Sequence, residues 1–101
     1  MENIMIITKH GGERIIERTQ CKRKNIEEFL LKVWNEGKAE NFFDNKTAVR
    51  KYLKNVKENS GADRSVRVKG NVVYIFNYTG NVFVTCYEIP QKVLQDKRNR
   101  R

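Results

Sequence analysis

Histidine, proline and cysteine are nearly missing from this chain of 101 residues, which holds one His, one Pro and two Cys. One imidazole and two thiols cannot complete an ordinary four-ligand zinc set, and Cys21 and Cys86 form no C-x-x-C pair. Two free thiols in a reducing compartment are the natural reading, so neither a metal nor a cofactor is expected. No segment approaches the roughly 20 apolar residues that a membrane span needs. No apolar run of signal length is present either, so a cytoplasmic protein with no membrane partner is expected. A membrane surface fits poorly as well, because no helix joins a broad exposed apolar face to a basic one. Acids are scarce too: 12 Asp and Glu stand against 21 Lys and Arg, a formal net charge of +9. Such an excess attracts polyanions, of which nucleic acid is the commonest.

What is present suffices for one small domain. Residues 1–90 are expected to form it, with 91–101 as a mobile basic tail containing Lys97, Arg98, Arg100 and Arg101. Residues 3–7 (NIMII) are too short for a helix and suit a buried strand. Thr8 then offers an N-cap to a helix over 10–19. Gly11 and Gly12 weaken that helix by about 1 kcal/mol each relative to Ala, which points to close backbone approach or to a frayed first turn. The clearest helix is 25–37, with Asn25 as cap, Glu28 completing a capping box, and Ile26, Phe29, Leu30, Val33 and Trp34 as its core stripe. Trp34 belongs to that core rather than to a base-stacking platform. A third helix spans 45–61; Val49, Tyr52, Leu53 and Val56 form its apolar stripe. Lys46, Arg50, Lys54 and Lys57 run along another face with almost no acid to balance them, which suits a polyanion groove.

The second half changes period from 3.6 to 2. Strands are expected over 65–69, 72–77 and 82–89, joined by tight turns at Gly70-Asn71 and around Thr79-Gly80. The fold class is therefore α+β, with N-terminal helices packed on one face of a three- to four-stranded antiparallel sheet. These turns set a register in which Arg67 faces Tyr74 and Tyr74 faces Thr85. One face then carries Val66, Val68, Val73, Ile75, Val84 and Cys86 for the helices to cover. The other carries the row Arg67, Tyr74 and Thr85, bordered by Phe76, Phe83 and Tyr87, with Lys69 on the same strand as Arg67. A cation, a phenol and a hydroxyl in line among aromatics suit a phosphate and stacked bases. A one-residue slip would exchange the faces.

The sharpest motif lies on the first helix. His10, Arg14 and Arg18 follow H-x3-R-x3-R, so their side chains share one helical face. The run Thr8-Lys9-His10, Arg14-Ile15 and Arg18 resembles the opening helix of BrnT-type ribonuclease toxins and their phage and mobile-element relatives. These belong to the wider RelE, barnase, EndoU and colicin D assemblage of small metal-independent ribonucleases. The segment 71–90, closing in Val84-Thr85, Tyr87 and Ile89-Pro90, is similar to the last two strands of such proteins. The long basic third helix and the Gly11-Gly12 pair depart from that pattern.

The resemblance implies a toxin-like endoribonuclease in which His10 and Arg14 or Arg18 are active, Arg67 and Thr85 are their sheet partners, and a protein antitoxin covers the sheet. In such chemistry the 2′-hydroxyl of RNA attacks the adjacent phosphate without a metal. His10 would serve as acid or base and the arginines would hold the phosphate. A second proton carrier is then needed: Tyr74, Tyr87, Glu13, Glu17 or water. Tyr74, Tyr87, Lys46, Arg50, Lys54, Lys57 and Lys69 would bind RNA or DNA. The rival reading is a non-enzymatic phage or mobile-element protein that binds nucleic acid or inhibits a protein target. All of the catalytic reading depends on the imidazole, the arginines of the first helix and the sheet row meeting at one pocket.

Overall fold

The computed structural model describes residues 5–61 and 63–99; the side chain of Arg98 falls outside that description. The elements are β1 (Ile6–Ile7), α1 (Lys9–Arg18), α2 (Ile26–Glu36), α3 (Ala48–Asn59), β2 (Arg64–Lys69), β3 (Val72–Asn77), β4 (Val82–Glu88) and the short α4 (Gln91–Leu94). Three 3-10 turns, Arg23–Asn25, Glu40–Phe42 and Lys97–Asn99, lie between and after them. The class is α+β as expected. The four-stranded sheet runs in the order β1-β4-β3-β2, antiparallel except for the parallel pair β1–β4. Asn3 and Ile4, included in the expected first strand, lie outside the described residues.

Local signals account for most of the boundaries. The Thr8 hydroxyl accepts from the Gly11 N–H at 2.9 Å and starts α1. Thr47 does the same for α3 through the Arg50 N–H at 3.1 Å. The Asn25 side chain makes no capping bond, because that residue belongs to the preceding 3-10 turn. Gly70 has φ +63 in the first hairpin turn and Gly80 has φ +81 in the second, a left-handed conformation that costs other residues roughly 1–2 kcal/mol.

The register of β2 with β3 matches the turn-based expectation from Lys69↔Val72 to Val66↔Ile75. On β4 the expectation holds at Phe76↔Phe83 and then fails: Ile75 faces Thr85, and Tyr74 faces Cys86. Val84 is an extra residue in a β-bulge. The Thr8 hydroxyl lies 3.2 Å from both the Phe83 and the Val84 carbonyl oxygens, so two successive β4 carbonyls meet the start of α1. Beyond the bulge the faces exchange, and Thr85 leaves the row of Arg67 and Tyr74 while Cys86 joins it.

Helices cover both faces of the sheet. On the front, Ile15, Ile26, Leu30 and Val33 pack against Tyr74, Phe76, Phe83 and Cys86. On the back, Val49 and Leu53 pack against Val66, Val68, Val73, Ile75 and Ile89. The face expected to lie open is thus the front core, and its aromatics are buried because α1 and α2 rather than α3 cover it. Residues 91–99 fold back onto α3 instead of trailing as a tail. The Asn99 side chain accepts from the Val49 N–H at 3.1 Å and donates to the Val93 carbonyl at 2.6 Å. Arg100 and Arg101 lie outside the described residues.

Candidate nucleic-acid interface

His10, Arg14 and Arg18 share one face of α1 as their spacing dictates, but their surroundings differ. His10 is exposed, and its Nε2 accepts from Arg14 Nε at 3.4 Å. Arg14 also pairs with Glu17 at 2.9 Å. Arg18 turns inward: its Nη1 donates to the Cys86 carbonyl at 2.5 Å, and its guanidinium lies 5.3 Å from the centre of the Tyr87 ring. The cause is the shortness of β1, which pairs only with Val82 and Phe83 of β4. The remaining outer edge of β4 needs another donor, and α1 supplies Arg18. Gly11 makes that fit possible, since a Cβ there would come within 2.8 Å of the Val84 carbonyl oxygen. Of the two readings of the glycine pair, close backbone approach is the one realised at Gly11. Tyr52 of α3 shares the neighbourhood. Burial pushes its phenol up, Tyr87 adds to the rise and Arg18 opposes it.

Arg67 occupies a different part of the molecule. Its Nε donates to the Trp34 carbonyl at 3.2 Å and its Nη1 to the Val66 carbonyl at 2.9 Å. The guanidinium lies 3.9 Å from the centre of the Trp34 ring, and burial lowers its pKa. Gly80 crowds the same indole, where a Cβ would fall 2.2 Å from a ring carbon. Trp34 is therefore clasped into the front layer, and Arg67 blocks an edge carbonyl of β2. Strand β3 separates β2 from β4, so two strand spacings of about 4.8 Å lie between Arg67's strand and the one that α1 flanks.

The expected convergence of the α1 row with Arg67, Tyr74 and Thr85 does not occur. Arg67 is held at the far edge. Tyr74 is buried beneath Phe29 with ring centres 5.8 Å apart, and burial pushes its phenol up to about 12. Thr85 is 5% exposed on the α3 side of the sheet, and its Oγ1 has no hydrogen-bond partner among the described residues. Tyr87, at 38% exposed, stays with Arg18. Lys69 lies over Phe29, its Nζ 5.8 Å from the ring centre, on the front rather than with the α3 cations.

The second cation row borders an open groove of about 910 Å³. Arg50, Lys51, Lys54 and Lys57 line it from α3. Lys46 is exposed at the turn before the helix and is not among the groove residues. The row is less unbalanced than its sequence indicates. Lys57 Nζ meets Glu40 Oε1 at 2.5 Å, an acid 17 positions upstream that the 3-10 turn carries across. Arg50 donates to the Phe43 carbonyl at 2.9 Å. Lys51 and Lys54 are exposed, and no hydrogen bond or ion pair engages their side chains among the described residues. Lys51, which lies outside the row read from the sequence, is part of the surface because it stands three residues before Lys54, and i, i+3 neighbours share a helical face.

Among the described residues no three His, Cys, Asp or Glu side chains are grouped to hold a metal ion, and no helix is long and apolar enough to cross a membrane. Compared with protein-family models, curated proteins and solved structures, the chain gives no significant match to any of them.

Proposed function

We propose that this chain is a nucleic-acid-binding protein whose contact surface is the groove along α3. One observation carries the reading: Lys51 and Lys54 of α3 stand exposed beside an open concavity with no hydrogen bond or ion pair among the described residues, while the α1 arginines are engaged within the molecule. Cations that track a phosphate backbone release its counterions, so affinity depends steeply on salt. Fluorescence anisotropy with a labelled single-stranded RNA tests this. Log affinity should fall linearly with log salt, by about 0.7 per phosphate contacted, giving a slope of roughly −2 to −3 for three to four contacts. A salt-insensitive signal, or none at all, rejects the reading.

A second reading is favoured by His10, whose imidazole faces solvent beside Arg14, with Arg18 and Tyr87 following along the same edge of β4. A metal-independent endoribonuclease would use this reduced set. His10 would move one proton and Tyr87, Glu13, Glu17 or water the other, and a toxin-like role would bring a protein antitoxin as partner. Arg67, Thr85 and Tyr74 have no part in that version. Cleavage of labelled RNA in EDTA by the wild type but not by His10→Ala would support it, and equal behaviour of the two proteins would discard it.

A further inference from the structure

The groove along α3 contains more than cations. Glu40, Glu58, Asp63 and Asn45 line it together with the basic side chains. Glu40 is paired with Lys57. Glu58 and Asp63 are exposed, and among the described residues neither side chain carries a hydrogen bond or an ion pair. Asp63 is moreover held at φ +59, an uncommon backbone conformation for any residue but glycine. Phe42 does not line the groove; it stands 62% exposed on the same 3-10 turn as Glu40, with Lys38 Nζ 4.6 Å from its ring centre.

A duplex meets a protein largely through its phosphates, and unpaired carboxylates in the contact surface repel them. A single strand can turn its phosphates toward lysines and its base edges toward carboxylates, which accept hydrogen bonds from exocyclic amino groups. An exposed aromatic ring adds a surface on which a base stacks. Resting on the nucleic-acid reading above, we infer that the groove takes a single strand with base edges turned inward, and that Glu58 and Asp63 make it favour cytosine over uracil. Cytosine offers an amino donor at the position where uracil offers an acceptor oxygen.

The test uses the full chain and three labelled probes of roughly 12 nucleotides, within the site sizes of single-strand binders. These are oligocytidine, oligouridine and a mixed-sequence duplex. Oligocytidine should bind about 10-fold more tightly than oligouridine, and the duplex more weakly than either. In a Glu58→Ala/Asp63→Gly variant the preference should fall to within about twofold, with oligouridine binding unchanged or improved. The glycine suits the left-handed backbone, and circular dichroism verifies folding. Equal binding of the two oligonucleotides by the wild type overturns the inference. So does a duplex that binds as well as the strands, or a variant in which both affinities rise in parallel. Each of these results leaves steep salt dependence intact and so spares the parent reading, whereas absent or salt-insensitive binding removes both.

Discussion

The two helical layers carry similar rows of cations and use them in opposite ways. On the front, α1 lies against a strand edge, and its arginines meet a carbonyl, an aromatic ring and a carboxylate. Arg67 does the same at the other edge of the sheet, where it caps Val66 and covers Trp34. On the back, α3 places its apolar stripe on the sheet and leaves Lys51 and Lys54 exposed beside an open groove. Spacing puts charges on one helical face in both layers. Whether that face is occupied depends on how much of the neighbouring strand is already paired. Planar guanidinium groups serve the edges, where directed donors are needed, and flexible ammonium groups dominate the open surface.

Changes in the front layer should register in stability and changes in the back layer in binding. The largest expected effect is Gly80→Ala, which combines left-handed strain of roughly 1–2 kcal/mol with overlap on Trp34 of roughly 1–3 kcal/mol. A loss of about 3 kcal/mol in urea denaturation is expected, and a near-neutral result would mean that the indole is not clasped. Next, Lys51→Glu/Lys54→Glu should weaken RNA binding roughly 10- to 100-fold near 0.1 M salt and flatten the salt slope, at unchanged stability. If Arg18→Ala weakened binding as much as that pair, the division between the layers would collapse. Its expected signature is instead a loss of about 1–2 kcal/mol in stability with affinity within about twofold.

Alkali should also act on the front layer. Burial pushes the Cys86 thiol up from 9.0 to about 11 and the Tyr74 phenol up from 10.0 to about 12. Both groups are neutral in the folded protein and ionise at lower pH when unfolded. Their contribution is complete below about pH 9 and is lost progressively between there and about pH 12. Thermal melts from pH 8 upward should show a falling Tm, and a flat profile across that window would contradict the burial of these groups. The smallest effect belongs to Arg14→Ala, which removes a surface ion pair and should change stability by less than about 0.5 kcal/mol.

Much of this architecture was legible beforehand. Thr8, the core stripe of α2, the period-2 strands and the glycine turns each express a local preference of a few neighbouring residues. The β2–β3 register followed from one two-residue turn. The candidate site was read less well, because it depended on extending a second register past Phe83. Val84 breaks that extension, and no composition signal at Val84 marks a bulge. Gly11 gave a hint, since two glycines early in a helix need a reason, and here the reason is the close contact of α1 with the bulged strand. The partnership of Lys57 with Glu40 had no local signal at all.

The sequence by itself determined the α+β class, the helical faces that carry charge and the excess of positive charge, because each follows from periodicity or from a sum over residues. Only the tertiary structure decided which cations meet solvent and which side of the sheet Thr85 and Cys86 occupy. The physical reason is that a hydrogen-bond partner or a strand register joins residues distant in the chain, and a single extra residue in one strand reverses every side chain beyond it.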